Sequence, residues 1–142
     1  MANALNYLSL ARKAGVAELG EEPVGGAARA GKAHVILVAN DASDHTWRRS
    51  LSYAAGTNQQ CLRLPHTKDE MGLAIGRTAL AVAAITDLSL ALALVKALPA
   101  SDRQAEALAV LTEKECRAKQ RKAEAKAHQK NVRFGKKKSV VK

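Results

Sequence analysis

The chain reads as an α/β protein, a three-layer α/β/α sandwich around a small mixed sheet, followed by a helical, basic C-terminal extension. Three observations predict this. "HVILVA" (residues 34–39) and "LAVAAIT" (residues 80–86) are short apolar runs without polar alternation, as expected of strands covered on both faces. Between and around them, apolar residues recur at helical spacing behind cap residues. The positive charge is concentrated in the last thirty residues.

In chain order, Leu5, Leu8, Ala11 and Ala14 mark the inner side of a first helix that Gly15 stops. Val16 to Leu19 follows as a short edge strand. Pro23 suits the first turn of a second helix, with Val24, Ala27 and Ala28 inward and Gly31 ending it before the His34 strand. That strand stops at "NDAS", where Ser43 or Asp41 can cap a helix from Asp44 with Trp47, Leu51, Ala54 and Ala55 inward. Such a strand-to-helix junction is expected to leave backbone N–H groups that attract anions.

"GTNQQ" then turns the chain into a strand at Cys61 to Leu64, stopped by Pro65. Thr67 and Glu70 of "TKDE" form a capping box for a short helix through Met71, Ala74 and Ile75, ending at Gly76. Leu80 to Thr86 is the next buried strand, and Asp87 caps a helix to Leu98. Ser101 and Gln104 form a second capping box, opening a long helix expected to lose its apolar face after about Leu111.

At 142 residues the chain is long enough for one domain, residues 1–99, plus an appendage, residues 100–142. One Trp, two Tyr and one Phe leave the core to Ala, Val, Leu and Ile, with few platforms for stacking bases. Cys61 and Cys116 have no CxxC or nearby His at ligand spacing, so no zinc site or disulfide framework is expected, and free thiols suit a reducing cytosol. The opening "MANALNYLSLARKAG" places its charges after its apolar positions, unlike a secretion signal, and a cytoplasmic location is expected. The apolar stretch from Ala79 to Leu98 carries Asp87 near its centre, which a membrane helix would resist by about 3 kcal/mol.

Net charge is +10. Residues 1–99 hold ten Lys/Arg against eight Asp/Glu, residues 100–112 one against two, and residues 113–142 twelve against three, so the last segment alone carries +9. A block of this density points to nucleic acid, and it lacks the apolar face that a membrane surface requires.

Motifs for catalysis are weak. "GAARAGKA" (residues 26–33) fits GxxxxGK, but Ala33 stands where a magnesium-binding hydroxyl belongs, and the glycines straddle a helix that leads into a strand. Asp41, Asp44 and His45 read as cap and first-turn residues. His34 and His66 have no partner at nucleophile or metal spacing, and no GxSxG, HExxH or GxGxxG is present. A non-catalytic binding role without cofactor, metal or small-molecule substrate is therefore expected.

"GEEPVGGAARAGKAHVILVANDAS", "TKDEMGLAIGR" and "AVAAITD" together resemble the ribosomal L-seven-Ae and L-thirty-e superfamily, most of all its small bacterial YlxQ-like branch. The resemblance runs from about Leu5 to Leu98. It implies a sandwich that binds structured RNA, in many members a kink-turn with tandem sheared G·A pairs. RNA contact is implied for three segments: the start of the second helix (Gly20, Glu21, Glu22, Gly26), the end of the following strand (Asn40, Asp41, Ala42), and the loop before the last strand (Gly76, Arg77, Thr78, Ala79, with Leu80). Lys32, Arg77, Arg12 and Lys13 are expected to supply charge around this rim, and Ala79 and Leu80 to pack on splayed bases.

The first segment departs from the family pattern. Kink-turn readers typically carry Asn, Glu and Lys where this chain has Glu22, Pro23 and Gly26; Glu22 accepts hydrogen bonds but cannot donate as Asn does, and Gly26 lacks a phosphate-seeking cation. These changes weigh against tight reading of a standard kink-turn, while the +9 tail supplies affinity independent of sequence. The expected function is RNA binding linked to ribosomal or other structured RNA, with ribosomal proteins as further partners. The rivals are a protein-interaction module that has lost RNA readout and the recognition subunit of an RNA-modifying enzyme.

Overall fold

The structure, a computed structural model, describes residues 4–141, with side chains described for residues 4–125. Its elements are α1 (Ala4–Lys13), β1 (Ala17–Leu19), α2 (Glu21–Arg29), β2 (Val35–Val38), α3 (Asp44–Ala54), β3 (Gln60–Arg63), α4 (Lys68–Ala74), β4 (Val82–Ile85), α5 (Leu88–Lys96) and α6 (Asp102–Val141). Each expected helix and strand is present; β1, β2 and β4 are one to three residues shorter than their apolar runs, and β3 has the expected length but starts one residue earlier.

The sheet has the order β1-β4-β2-β3. β4 runs antiparallel to both neighbours, with Leu19 opposite Ala83 and Val38 opposite Val82, while β2 and β3 are parallel, with Val38 opposite Arg63. The sheet is therefore mixed, and the two unalternated apolar runs are its inner strands, every residue of β2 and β4 being buried. α2 and α3 pack together on one side of the sheet. α1 packs with α4 and α5, and α5 with α6, on the other.

The caps form at the predicted residues, although the second capping box is only half made, since the Gln104 side chain donates to the Val95 carbonyl instead of reaching back to Ser101. Ser43 accepts from the Thr46 N–H, Thr67 and Glu70 complete their capping box, Asp87 accepts from the Leu90 N–H, and Ser101 from the Gln104 N–H. The stretch from Ala79 to Leu98 is a strand, a cap and a helix, and among the described residues no helix is long and apolar enough to cross a membrane.

Three packing details differ from expectation. Ala14 lies beyond the last turn of α1 and is exposed. Ala55 is the exposed C-cap of α3, and the fully buried residues of that helix are Thr46 and Ser50, with Trp47 and Leu51 half-buried. The first turns of α6 also enter the core: Ala107 and Leu111 are buried in the same apolar cluster as β2 and β4, and the apolar contact fades beyond them as expected.

α6 starts beside the C-terminal ends of the parallel strands, where Ser101 and Gln104 line a groove with Asn40, Leu64 and Pro65. It then runs back along β3. By Lys114 it has reached His34, at the other end of the sheet, where burial and the Lys114 cation hold the imidazole pKa below its usual value while Asp87 opposes them. The helix leaves the core there.

Candidate nucleic-acid interface

The strand register brings the three segments to one end of the sheet. Val82 opens β4, and it lies opposite Val38, so the residues after β2 and those before β4 are neighbours; the Ala39 N–H donates to the Ala81 carbonyl. The Gly20 N–H donates to the Val82 carbonyl, which sets the start of α2 beside them. Gly20 takes φ +98°, a conformation that glycine adopts without a Cβ penalty, and this lets the chain turn from β1 straight into α2.

Asn40, Asp41 and Ser43 each tie down a neighbouring piece of this edge. The Asn40 N–H donates to the His66 carbonyl at 2.9 Å, and its side-chain amide donates to the Pro65 carbonyl at 3.0 Å, fastening the end of β2 to the β3–α4 loop. The Asp41 carboxylate accepts from the Lys68 N–H at 2.8 Å, in the first turn of α4. Ser43 caps α3, and the Thr46 hydroxyl donates to Glu21 Oε1 at 3.0 Å, joining α3 to α2.

The loop at Gly76–Ala79 is seated on α4. The Arg77 N–H donates to the Gly72 carbonyl and the Leu80 N–H to the Lys68 carbonyl. Gly72 is needed for this approach, since a Cβ there would fall 2.6 Å from the backbone of Ala79. The loop thus presents exposed Arg77, Thr78 and Ala79 on a fixed support.

Electrostatically the edge differs from the expectation of free anion-binding helix ends. The α3 and α4 N-termini are filled by the protein's own Ser43, Thr67, Asp41 and Glu70, and the Thr67 N–H that Glu70 accepts is the chief reason its carboxyl titrates below the usual range. Glu21, Glu22, Asp41, Asp44, Asp69 and Glu70 outnumber Lys68 and Arg77 along the rim. Arg29 and Arg49 share the α2–α3 groove with Glu21 and Glu22.

Of the expected site residues, Gly20, Glu21, Glu22, Asn40, Asp41, Gly76, Arg77, Thr78 and Ala79 meet at this edge. Gly26 is exposed further along α2. Ala42 and Leu80 are buried, at 9% and 3% exposure, so their side chains pack inward and do not present a surface for bases. Lys32 does not reach the rim: it follows α2 and precedes His34, whose N–H donates to the Ile85 carbonyl at the far end of the sheet. Arg12 and Lys13 end α1 just before Ala17, which is opposite Ile85, and so belong to that far end as well. The sequence reading used local spacing, whereas the placement of these cations depends on the antiparallel path of β4.

Two features went unread in the sequence. Leu73 is 81% exposed on α4 between Gly72 and Ala74, next to the Arg77 loop, and supplies the apolar surface that Leu80 does not. Its only sequence signal is a large apolar residue on a short helix already anchored by Met71 and Ile75. The Trp47 ring meets two guanidinium groups, Arg63 at 4.6 Å and Arg103 at 5.3 Å from its centroid, cation–π contacts that link α3 to β3 and to α6. Beneath it Cys61 is buried, and burial pushes its thiol up to about 12 against the opposing Arg103 and Arg63 charges. Among the described residues no group of three or more His, Cys, Asp or Glu is placed to hold a metal ion.

No family model matches the chain, and no curated protein does. Solved structures do. One similar structure is a protein of unknown function from Bacillus halodurans C, with a TM-score of 0.61 and 27% identity over 68% of this chain and 96% of that one. Another is the Giardia lamblia 15.5kD RNA binding protein, with a TM-score of 0.55 and 16% identity over 79% of this chain and 84% of that one, a likeness of fold.

Proposed function

We propose that this chain is a non-catalytic RNA-binding protein of the ribosomal L-seven-Ae and L-thirty-e superfamily, in its YlxQ-like branch. It acts in the cytoplasm on structured, kink-turn-like or ribosomal RNA, with ribosomal proteins as neighbours. The observation that carries the reading is the segregation of charge: +9 over residues 113–142, on a helix rooted in the core of a fold shared with an RNA-binding protein. The edge formed by Gly20, Asn40 and the Arg77 loop has the form such a role requires, a rigid surface with the exposed Arg77 cation and exposed small and apolar residues (Thr78, Ala79, Leu73) for unstacked bases.

The edge and the tail make separable contributions. Arg77→Ala is expected to weaken binding to a kink-turn RNA several-fold at moderate salt and to leave binding to an unrelated duplex unchanged. Unaltered kink-turn affinity would remove the edge from the interface, and failure of the unmodified chain to bind either RNA would overturn the function.

The carboxylates along the rim favour one second reading, a protein-interaction module whose edge docks a basic partner. In that case Glu22→Lys weakens capture of the protein partner, whereas on the RNA reading the same change strengthens kink-turn binding.

A further inference from the structure

The groove between the end of β3 and the start of α6 differs in character from the carboxylate-rich rim. Leu64, Leu98 and Pro99 give it apolar surface, Asn40, Ser101 and Gln104 give it polar groups, and no carboxylate lines it. Its volume is 290 Å³, near the lower end of the range for small-ligand sites, about 300–1,000 Å³. Asn40 belongs both to this groove and to the edge described above, so the two surfaces are continuous.

The polar groups are fixed by their own bonds and keep capacity to spare. The Asn40 amide donates to the Pro65 carbonyl, Ser101 accepts from the Gln104 N–H, and the Gln104 side chain donates to the Val95 carbonyl. The Asn40 amide oxygen, the Ser101 hydroxyl proton and Gln104 Oε1 have no partner among the described residues.

Two cations stand beside the groove on the open side of the sheet. β3 is an edge strand; its Gln60 and Leu64 N–H groups donate to the His34 and Val38 carbonyls of the β2 segment, so the alternate residues Cys61 and Arg63 turn their backbone groups outward. Arg103 reaches across this edge from α6, donating to the Cys61 carbonyl at 3.5 Å and lying over the Trp47 ring. Arg63, which lines the groove, lies over the same ring. Both arginines are exposed, and neither pairs with a carboxylate among the described residues. The indole therefore orders two guanidinium groups without neutralising them, which lowers the entropy lost when an anion binds.

We propose that this groove is a second RNA subsite, taking one unpaired nucleotide of a strand that runs on from the edge, with its base against Leu64, Leu98 and Pro99 and its phosphate against Arg63 and Arg103. The proposal rests on the RNA-binding reading above. A flat base with hydrogen-bonding edges suits an apolar slot rimmed by amides and a hydroxyl, and the adjoining phosphate suits forked guanidinium donors. Duplex RNA keeps its bases stacked and cannot fill the slot. Glu21 and Glu22 stand at the β1–β4 side of the same sheet end and repel phosphates there, which leaves the β3 side as the favourable path for the strand.

The test uses the full chain, with Trp47, its only tryptophan, as fluorescent reporter. The probes are a kink-turn RNA with a short unpaired extension at one end or the other, and the same RNAs with the extension paired to a complementary strand, titrated over a salt series. One unpaired extension is expected to raise affinity about fivefold over its paired form and to change Trp47 emission. Arg63→Gln with Arg103→Gln is expected to abolish that gain, whereas Arg12→Gln with Lys13→Gln, equal in charge and at the far end of the sheet, keeps it. Pro99→Phe, which places a ring in the groove and leaves both guanidinium groups, is expected to abolish the gain as well, and thermal unfolding by circular dichroism checks that each variant is folded. Equal affinity of the unmodified chain for unpaired and paired extensions, or a gain that survives both groove variants, would overturn the subsite while leaving RNA binding in place. No binding of the unmodified chain to any of these RNAs would instead overturn the RNA reading. A Trp47 response to free AMP or UMP as tight as that to the extended RNA would overturn the proposal in favour of a free nucleotide, and a tighter response to polyglutamate than to RNA would do so in favour of an acidic protein.

Discussion

Single residues show how closely the edge is built. Gly72 lies against the Ala79 backbone, where neither atom can swing aside as a side chain can. Gly72→Ala is therefore expected to destabilise the fold by about 1–3 kcal/mol and to displace the Arg77 loop, read as a lower denaturant midpoint together with weaker kink-turn binding. His34 gives a pH-dependent counterpart. Its pKa is lowered in the fold by burial and by Lys114, so the unfolded chain binds the proton more readily. Stability from this group is fully present above the ordinary histidine value near 6.5 and is lost as pH falls through the depressed folded value. His34→Gln is expected to flatten the stability profile in that acid window, and an unchanged profile would assign the dependence to other groups.

At the scale of elements, local chemistry made most of the fold legible. Unalternated apolar runs located β2 and β4, and Ser43, Thr67 with Glu70, Asp87 and Ser101 located helix starts, because a cap and its partner are three residues apart. What the sequence left unread is contact across distance in the chain. Asp41 caps α4 from 27 residues away. Gln59 is buried while it accepts from the Ala33 N–H and donates to the Ala28 carbonyl at the end of α2. Each of these depends on which strands are neighbours, and spacing alone does not contain that. The same limit misplaced Lys32, Arg12 and Lys13 at the rim. Of the proposed edge, then, the segments were legible from the resemblance, while their electrostatic character was not. α6 extends the lesson, because its first turns serve the core: Leu111→Ala is expected to cost about 2–5 kcal/mol in the global unfolding of the domain. A much smaller loss in chemical denaturation would show a helix merely appended to the sandwich.

As a whole the molecule has two unlike ends. At one, the ends of β2 and β3 and the start of β4 present a rigid edge at which the N-termini of α3 and α4 are already satisfied by carboxylates and hydroxyls, while α2 starts at Gly20 without a side-chain cap. At the other, Lys114 opens a helical arm that carries most of the net charge. On the proposed function affinity and selectivity divide between them: the arm attracts any polyanion by counterion release, and the edge, with its carboxylates, is expected to tolerate only an RNA whose shape brings bases to Arg77 and Leu73 while keeping phosphates off Glu21 and Glu22. Lengthening the salt series separates the two, since screening weakens the arm far more than close apolar and hydrogen-bonded contacts at the edge.

The most direct measurement is titration of the full chain with a kink-turn RNA and with a plain duplex of equal length from low to high salt. Both affinities are expected to fall along nearly parallel, steep lines of log K against log salt, with the kink-turn line above the other throughout. Coincident lines would leave the arm as the whole interface, and absence of binding to either RNA at the lowest salt would contradict an RNA-binding function outright.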